Sequence, residues 1–157
     1  MGIPNRHMWL DLANTYANSM SGCRKVSVGS VIVGGSERKI LGVGANRSIP
    51  DLCKCRGCLR EEKYGNNDKT HRNPADCRAI HSEVDAICRA SGDLQGATIF
   101  VTRYPCEACA RAIVAAGISH VVYGRQQKIS EDTAHIFEDA HVDVIWEKGW
   151  DAPDVRN

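Results

Sequence analysis

Met8, Trp9, Leu12, Ala13, Tyr16 and Met20 recur at helical spacing and predict a helix over residues 8–20, with Pro4-Asn5 as its start signal. Apolar runs at 26–33 and 40–43 read as strands, separated by the polar Gly34-Gly35-Ser36-Glu37-Arg38 as a hairpin loop. From residue 47 to 79 the pattern dissolves. Helical spacing resumes at 81–91 and stops at Gly92; Cys88 lies inside this run and reads as a core thiol. Residues 97–102 form a strand, 106–116 a helix stopped by Gly117, and 120–123 another strand. A helix over 130–140, with Ser130 in the cap position, and a strand over 142–146 complete the order. One helix, two strands and then alternating helices and strands predict an α/β fold. Its mixed five-stranded sheet carries helices on both faces, giving three α-β-α layers.

At 157 residues the chain is the size of one domain, and it is read as a single unit over 1–157. Twenty basic against nineteen acidic residues leave a net charge of +1, without the basic surplus of a general nucleic-acid or membrane binder. Aromatic residues make up only 6%, too few for a stacking platform on single strands. No signal-peptide pattern or membrane-length apolar run is present, so the expected location is the cytoplasm.

Eight cysteines change this picture: Cys23, Cys53, Cys55, Cys58, Cys77, Cys88, Cys106 and Cys109. Cytosolic thiols stay reduced, and most of these cluster in polar sequence at metal-ligand spacings, so metal is favoured over disulfides. His81-Ser82-Glu83 opens one helix, and Pro105-Cys106-Glu107-Ala108-Cys109 opens the next. Cys106 and Cys109 are three apart and share a helix face in the first turn, where the positive helix end favours thiolate. His81 with Cys106 and Cys109 makes a three-ligand zinc site with an open fourth position, the catalytic pattern. Zinc would lower the pKa of a bound water toward about 7, and Glu83 is spaced to take its proton. Alone, Cys-x-x-Cys also fits a redox pair or half a zinc ribbon, and His-x-Glu usually lies on a surface. Their joint occurrence at two helix starts, one strand apart, argues against both.

His-x-Glu followed by Pro-Cys-x-x-Cys is the signature of zinc nucleobase deaminases. Further likeness comes from Thr102-Arg103-Tyr104-Pro105-Cys106, Ala116-Gly117-Ile118, Val121-Val122-Tyr123-Gly124, the strand Val28 to Val33 with Cys23 before it, and Gly57-Cys58-Leu59-Arg60-Glu61. Over roughly residues 8 to 147 the chain resembles the deoxycytidylate (dCMP) deaminase family. Ser82 departs from the small apolar residue usual between the histidine and the glutamate, and its hydroxyl adds a hydrogen-bonding group. The resemblance implies a cytidine deaminase-like fold and hydrolysis of dCMP to dUMP and ammonia, supplying dUMP for thymidylate synthesis. In that reaction Glu83 moves the proton. Other readings are a deaminase of dCTP or of tRNA adenosine, or a noncatalytic zinc scaffold, which would need no Glu83. Neutral charge counts against the tRNA.

Residues 47–79 hold eight basic and five acidic residues, four cysteines and His71. So long a polar connection needs something to order it, and a closed tetrahedral metal site would do so. The family resemblance implies a second, structural zinc on Cys23, Cys53, His71 and Cys77, with Cys58 competing for a place and Cys55 extra. It also implies that the base is wedged near the Pro-Cys turn. Asn46 would meet the sugar, and Lys25 with Ser27 the 5′-phosphate, with Arg24 and Arg125 as helpers. Tyr123 is a substrate candidate and equally a core residue. As a family expectation the chain is a homohexamer activated by dCTP and inhibited by dTTP, with Mg2+ on the triphosphate. The effector loop here is Gly44-Ala45-Asn46-Arg47-Ser48-Ile49-Pro50, lacking the family's tyrosine and second glycine. Asn46 and Arg47 are its effector candidates, Arg47 supplying charge with Lys54, Arg56 and Arg60 nearby in sequence.

Overall fold

A computed structural model describes residues 2–23, 25–49, 57–65, 77–127 and 130–152. The chain runs α1 (Arg6–Met20), β1 (Gly29–Gly34), β2 (Lys39–Ala45), α2 (Leu59–Tyr64), α3 (Ser82–Arg89), β3 (Thr98–Arg103), α4 (Glu107–Ala115), β4 (His120–Arg125), α5 (Glu131–Asp139) and β5 (Asp143–Trp146). The strand order is β2-β1-β3-β4-β5. β1 is antiparallel to β2 and β3, whereas β3, β4 and β5 run parallel, each linked to the next by a helix. This is the mixed five-stranded sheet that the pattern predicts.

The period-two alternation of each strand divides the core between two layers. Val31, Val33, Phe100 and Val122 face α1, packing on Trp9, Leu10 and Ala13. Ile32, Ile99, Val101 and Val121 point the other way, onto Ala86 of α3, Ala110 and Ile113 of α4, and Phe137 of α5. Central strands buried on both faces explain their continuous apolar runs.

α1 approaches β1 so closely that a Cβ on Gly29 would run into the backbone carbonyl of Ala13. Backbone cannot step aside as a side-chain tip can. Gly29→Ala is therefore expected to cost about 3 kcal/mol, the upper end for overpacking, and to lower Tm by roughly 6–12 °C. Gly2→Ala, with nothing near the added carbon, is the control in the same melting experiment.

Beyond shifts of other element ends by one or two residues, four details differ from the sequence reading. Residues 26–28 precede β1 rather than belonging to it. α2 lies inside the stretch read as irregular; it buries no residue, which is why no apolar period marks it. Ser130 occupies the N-cap of α5 but makes no capping bond with its side chain. Cys88 is exposed, not a core thiol, because α3 turns Ser82, Glu83, Asp85 and Ala86 inward and Cys88 falls on the opposite face.

Candidate active site

The site forms where α3 and α4 begin, beside the central strands. His81 is the N-cap residue of α3 and Cys106 that of α4; Cys109 follows one turn into α4. Pro105 precedes the Cys106 cap, and a β3–α4 connection of three residues leaves little freedom in where α4 starts. His81 Nδ1 lies 3.4 Å from Cys106 Sγ and 3.4 Å from Cys109 Sγ. All three ligand atoms fall within 4.8 Å of one another, and among the described residues this is the one group of three such donors. Two ligands spanning a tetrahedral zinc at ordinary Zn–N and Zn–S lengths stand about 3.5 Å apart. The trio fits zinc in both donor chemistry and spacing.

The electrostatics follow from that crowding. The Cys109 thiol donates to Cys106 and holds it as a thiolate, with His81 assisting, so the Cys106 pKa falls to about 4. The same thiolate, joined by Cys77, raises His81 to about 10. Cys109, bonded to Cys106 and buried, is pushed up. Glu83 is buried and its pKa is raised by that burial. Its carboxyl also bonds the Cys109 thiol, which sets it at the edge of the trio. Ser82 Oγ donates to Glu83 Oε2 at 3.2 Å, so the serine between histidine and glutamate does form a hydrogen bond.

The remaining candidates are placed as follows. The Cys77 thiol bonds His81, which holds its pKa low. Cys23 is buried between α1 and β1, and Cys58 is the half-buried N-cap residue of α2, with no capping bond from its side chain. Cys53, Cys55 and His71 lie outside the described residues, as do Arg24, Lys54 and Arg56. Lys25 pairs with Glu61 of α2, and Ser27 is buried below it in sequence. Asn46 is buried too: Oδ1 accepts from Val28 N at 2.9 Å and from Ser21 Oγ at 2.5 Å, while Nδ2 donates to Val26 O at 2.8 Å. Tyr123 is core, meeting Tyr104 edge-to-face at 4.9 Å. Arg125 donates to the Ala152 carbonyl and lies over Trp150.

Arg47 is drawn inward. Its Nε bonds Asp85 Oδ2 at 2.7 Å and a terminal nitrogen bonds Tyr16 OH at 2.7 Å. Arg89 grips the other Asp85 oxygen at 2.7 Å. Burial alone would raise the Asp85 pKa, but the Arg89 and Arg47 bonds together hold it below the ordinary value. The Arg47 backbone exchanges two hydrogen bonds with Ile80, the residue before His81. Sequence reasoning missed Tyr16, Asp85 and Arg89 as members of this network. An acidic residue on the buried face of α3 was the available signal.

A layered fold with this trio at two helix starts defines a protein of the cytidine deaminase-like class. The chain matches the MafB19-like deaminase family over residues 5–142 and belongs to it. It is 35% identical to the deoxycytidylate deaminase of Mycobacterium phage D29, over 71% of this chain and 88% of the phage protein. It is 34% identical to that of Saccharomyces cerevisiae, over 83% of this chain and only 41% of the yeast one, so it spans about two fifths of that relative's length. The structure is similar to dCMP deaminase from the cyanophage S-TIM5 in complex with dCMP and dUMP. The TM-score is 0.70 at 23% identity, covering 93% of this chain and 98% of that one. No helix among the described residues is long and apolar enough to cross a membrane.

Proposed function

We propose that the protein is a zinc-dependent dCMP deaminase, converting dCMP and water to dUMP and ammonia and so supplying dUMP for thymidylate synthesis. The carrying observation is the buried Glu83 carboxyl against a His81–Cys106–Cys109 trio of zinc dimensions. Relatives named deoxycytidylate deaminase support the choice of substrate. Zinc held by His81, Cys106 and Cys109 would supply the Lewis acidity that readies water near neutral pH for attack on C4 of the base. Glu83 takes one proton from that water and delivers it to N3, then takes the second from the hydroxyl added at C4 and hands it to the departing amine, so that both water hydrogens are accounted for and ammonia leaves. Burial raises the carboxyl toward the pH at which it both accepts and donates.

Lys25 with Ser27 is the proposed 5′-phosphate contact, where phosphate would compete with Glu61 for the ammonium. Asn46 has two donors and two acceptor positions; its bonds to described residues leave one amide hydrogen for the sugar. Tyr123 contributes by backing Tyr104, the residue before the Pro-Cys turn. Thiol ligands of this kind persist in a reducing compartment, which favours the cytoplasm. Ammonia release measured over dCMP, dCTP, deoxycytidine and a tRNA, with zinc content per chain, tests the assignment. Preference for dCTP or tRNA adenosine would replace it.

The second zinc, on Cys23, Cys53, His71 and Cys77 with Cys58 as competitor, is proposed to hold residues 47–80 to the first-strand region. The expected metal content is two zinc ions per chain. Cys53→Ser should lower protease resistance of that stretch more than it lowers turnover. A single zinc in freshly purified protein refutes the second site.

Assembly as a homohexamer, with dCTP activating, dTTP inhibiting and Mg2+ on the triphosphate, rests on the family resemblance. At the effector site Asn46 and Arg47 are the proposed contacts, and a triphosphate would have to compete with Asp85 for the Arg47 guanidinium. Rate curves against dCMP, with and without each triphosphate, should differ in shape; three identical hyperbolic curves end the claim of regulation.

A further inference from the structure

β1 is buried along its whole length and carries one side chain with chemistry, Ser30. Its hydroxyl stands 2.7 Å from that of Ser82, and both residues are 0% exposed, so water cannot replace either partner. Ser82 Oγ in turn donates to Glu83 Oε2. A serine hydroxyl has a single hydrogen. Ser82 spends its hydrogen on Glu83, so in the contact with Ser30 it accepts and Ser30 donates. The bonds therefore run one way, from the sheet through Ser30 and Ser82 to the carboxylate.

This arrangement answers a geometric need. Glu83 lies in the first turn of α3 and its chain has three rotatable bonds, so the helix alone does not fix where its oxygens sit. We propose that Ser82 and Ser30 are positioning residues for Glu83. They tether Oε2 to the sheet and leave Oε1 as the oxygen that carries the proton. Neither serine touches the reacting atoms. The inference rests on the deaminase reading above and adds to it a device that an apolar residue at position 82 could not provide.

Ser82→Ala and Ser30→Ala each delete one buried oxygen. Each is expected to lower kcat about tenfold, the worth of one orienting bond to a charged group, with KM for dCMP and zinc content unchanged. The double variant should be no slower than Ser82→Ala alone, because loss of Ser82 already severs the chain of bonds; independent packing effects would multiply instead. A second readout needs no turnover. In metal-free protein labelled with 13C at glutamate carboxyls, the Glu83 signal, assigned by its absence in Glu83→Gln, should move in both serine variants. If either variant folds poorly, the other with its carboxyl signal still decides. Wild-type turnover with Ser82→Ala within twofold of it, or an unmoved Glu83 signal, overturns the positioning role alone. A wild-type protein inactive on every cytosine nucleotide removes the deaminase reading, and this role with it.

Discussion

Glu83→Gln is expected to retain zinc and melting temperature while losing turnover by roughly a hundred- to ten-thousandfold, the usual worth of general acid–base catalysis. Glutamine matches the shape of glutamate and keeps an oxygen to accept the Ser82 hydrogen bond. It cannot take up and return a proton at working pH. Glu83 is only 4% exposed, so solvent is a poor substitute for the carboxyl as proton carrier. The buried position also argues that the substitution is tolerated: a neutral amide is easier to bury than a carboxylate. Metal analysis and steady-state rates on the same preparation separate the two effects. Near-normal deamination by zinc-loaded Glu83→Gln would falsify the proton-carrying role.

Cys109→Ser is expected to lose the zinc, and activity with it, because a hydroxyl is a poor replacement for thiolate on zinc. Cys106→Ser should do the same. The metal-free charges add a prediction about pH. At pH 7 His81, raised to about 10, still holds its proton. The Cys109 thiol, pushed up by its bond to Cys106 and by burial, holds its proton too. Cys106, at about 4, has already lost its own. Zinc must therefore displace two protons, and affinity should rise roughly a hundredfold per pH unit around neutrality. Competition with a chromophoric chelator at pH 6, 7 and 8 measures the slope. A pH-independent affinity would mean that the trio is not the ligand set.

Insert residues explain why part of the chain resists reading. α2 buries nothing, so its six residues carry no periodic signal; the ties to the rest of the chain include the Lys25–Glu61 and Arg78–Glu62 pairs, contacts across 36 and 16 positions that no local pattern encodes. Cys88 misled for the opposite reason. Its neighbours Ile87 and Ala86 are apolar, but the helix phase, set by which face meets the sheet, puts the thiol outside.

By itself the sequence determines the order of the principal elements and the positions of the His81, Cys106 and Cys109 donors. Both follow from local rules: period two or 3.6 for burial, and two short motifs whose spacing survives any packing. Tertiary structure alone decides which groups converge. It brings Ser30 of β1 to Ser82 of α3, 52 positions away, and so ties Glu83 to the sheet. It turns Arg47 from an open charge into the clamp on Asp85 and Ile80 that anchors the residue before His81. The physical reason is one of desolvation. Once sheet and helices exclude water, each buried hydroxyl, carboxylate and guanidinium must find its partner within the protein, and that partner is chosen by the packing of elements far apart in the chain.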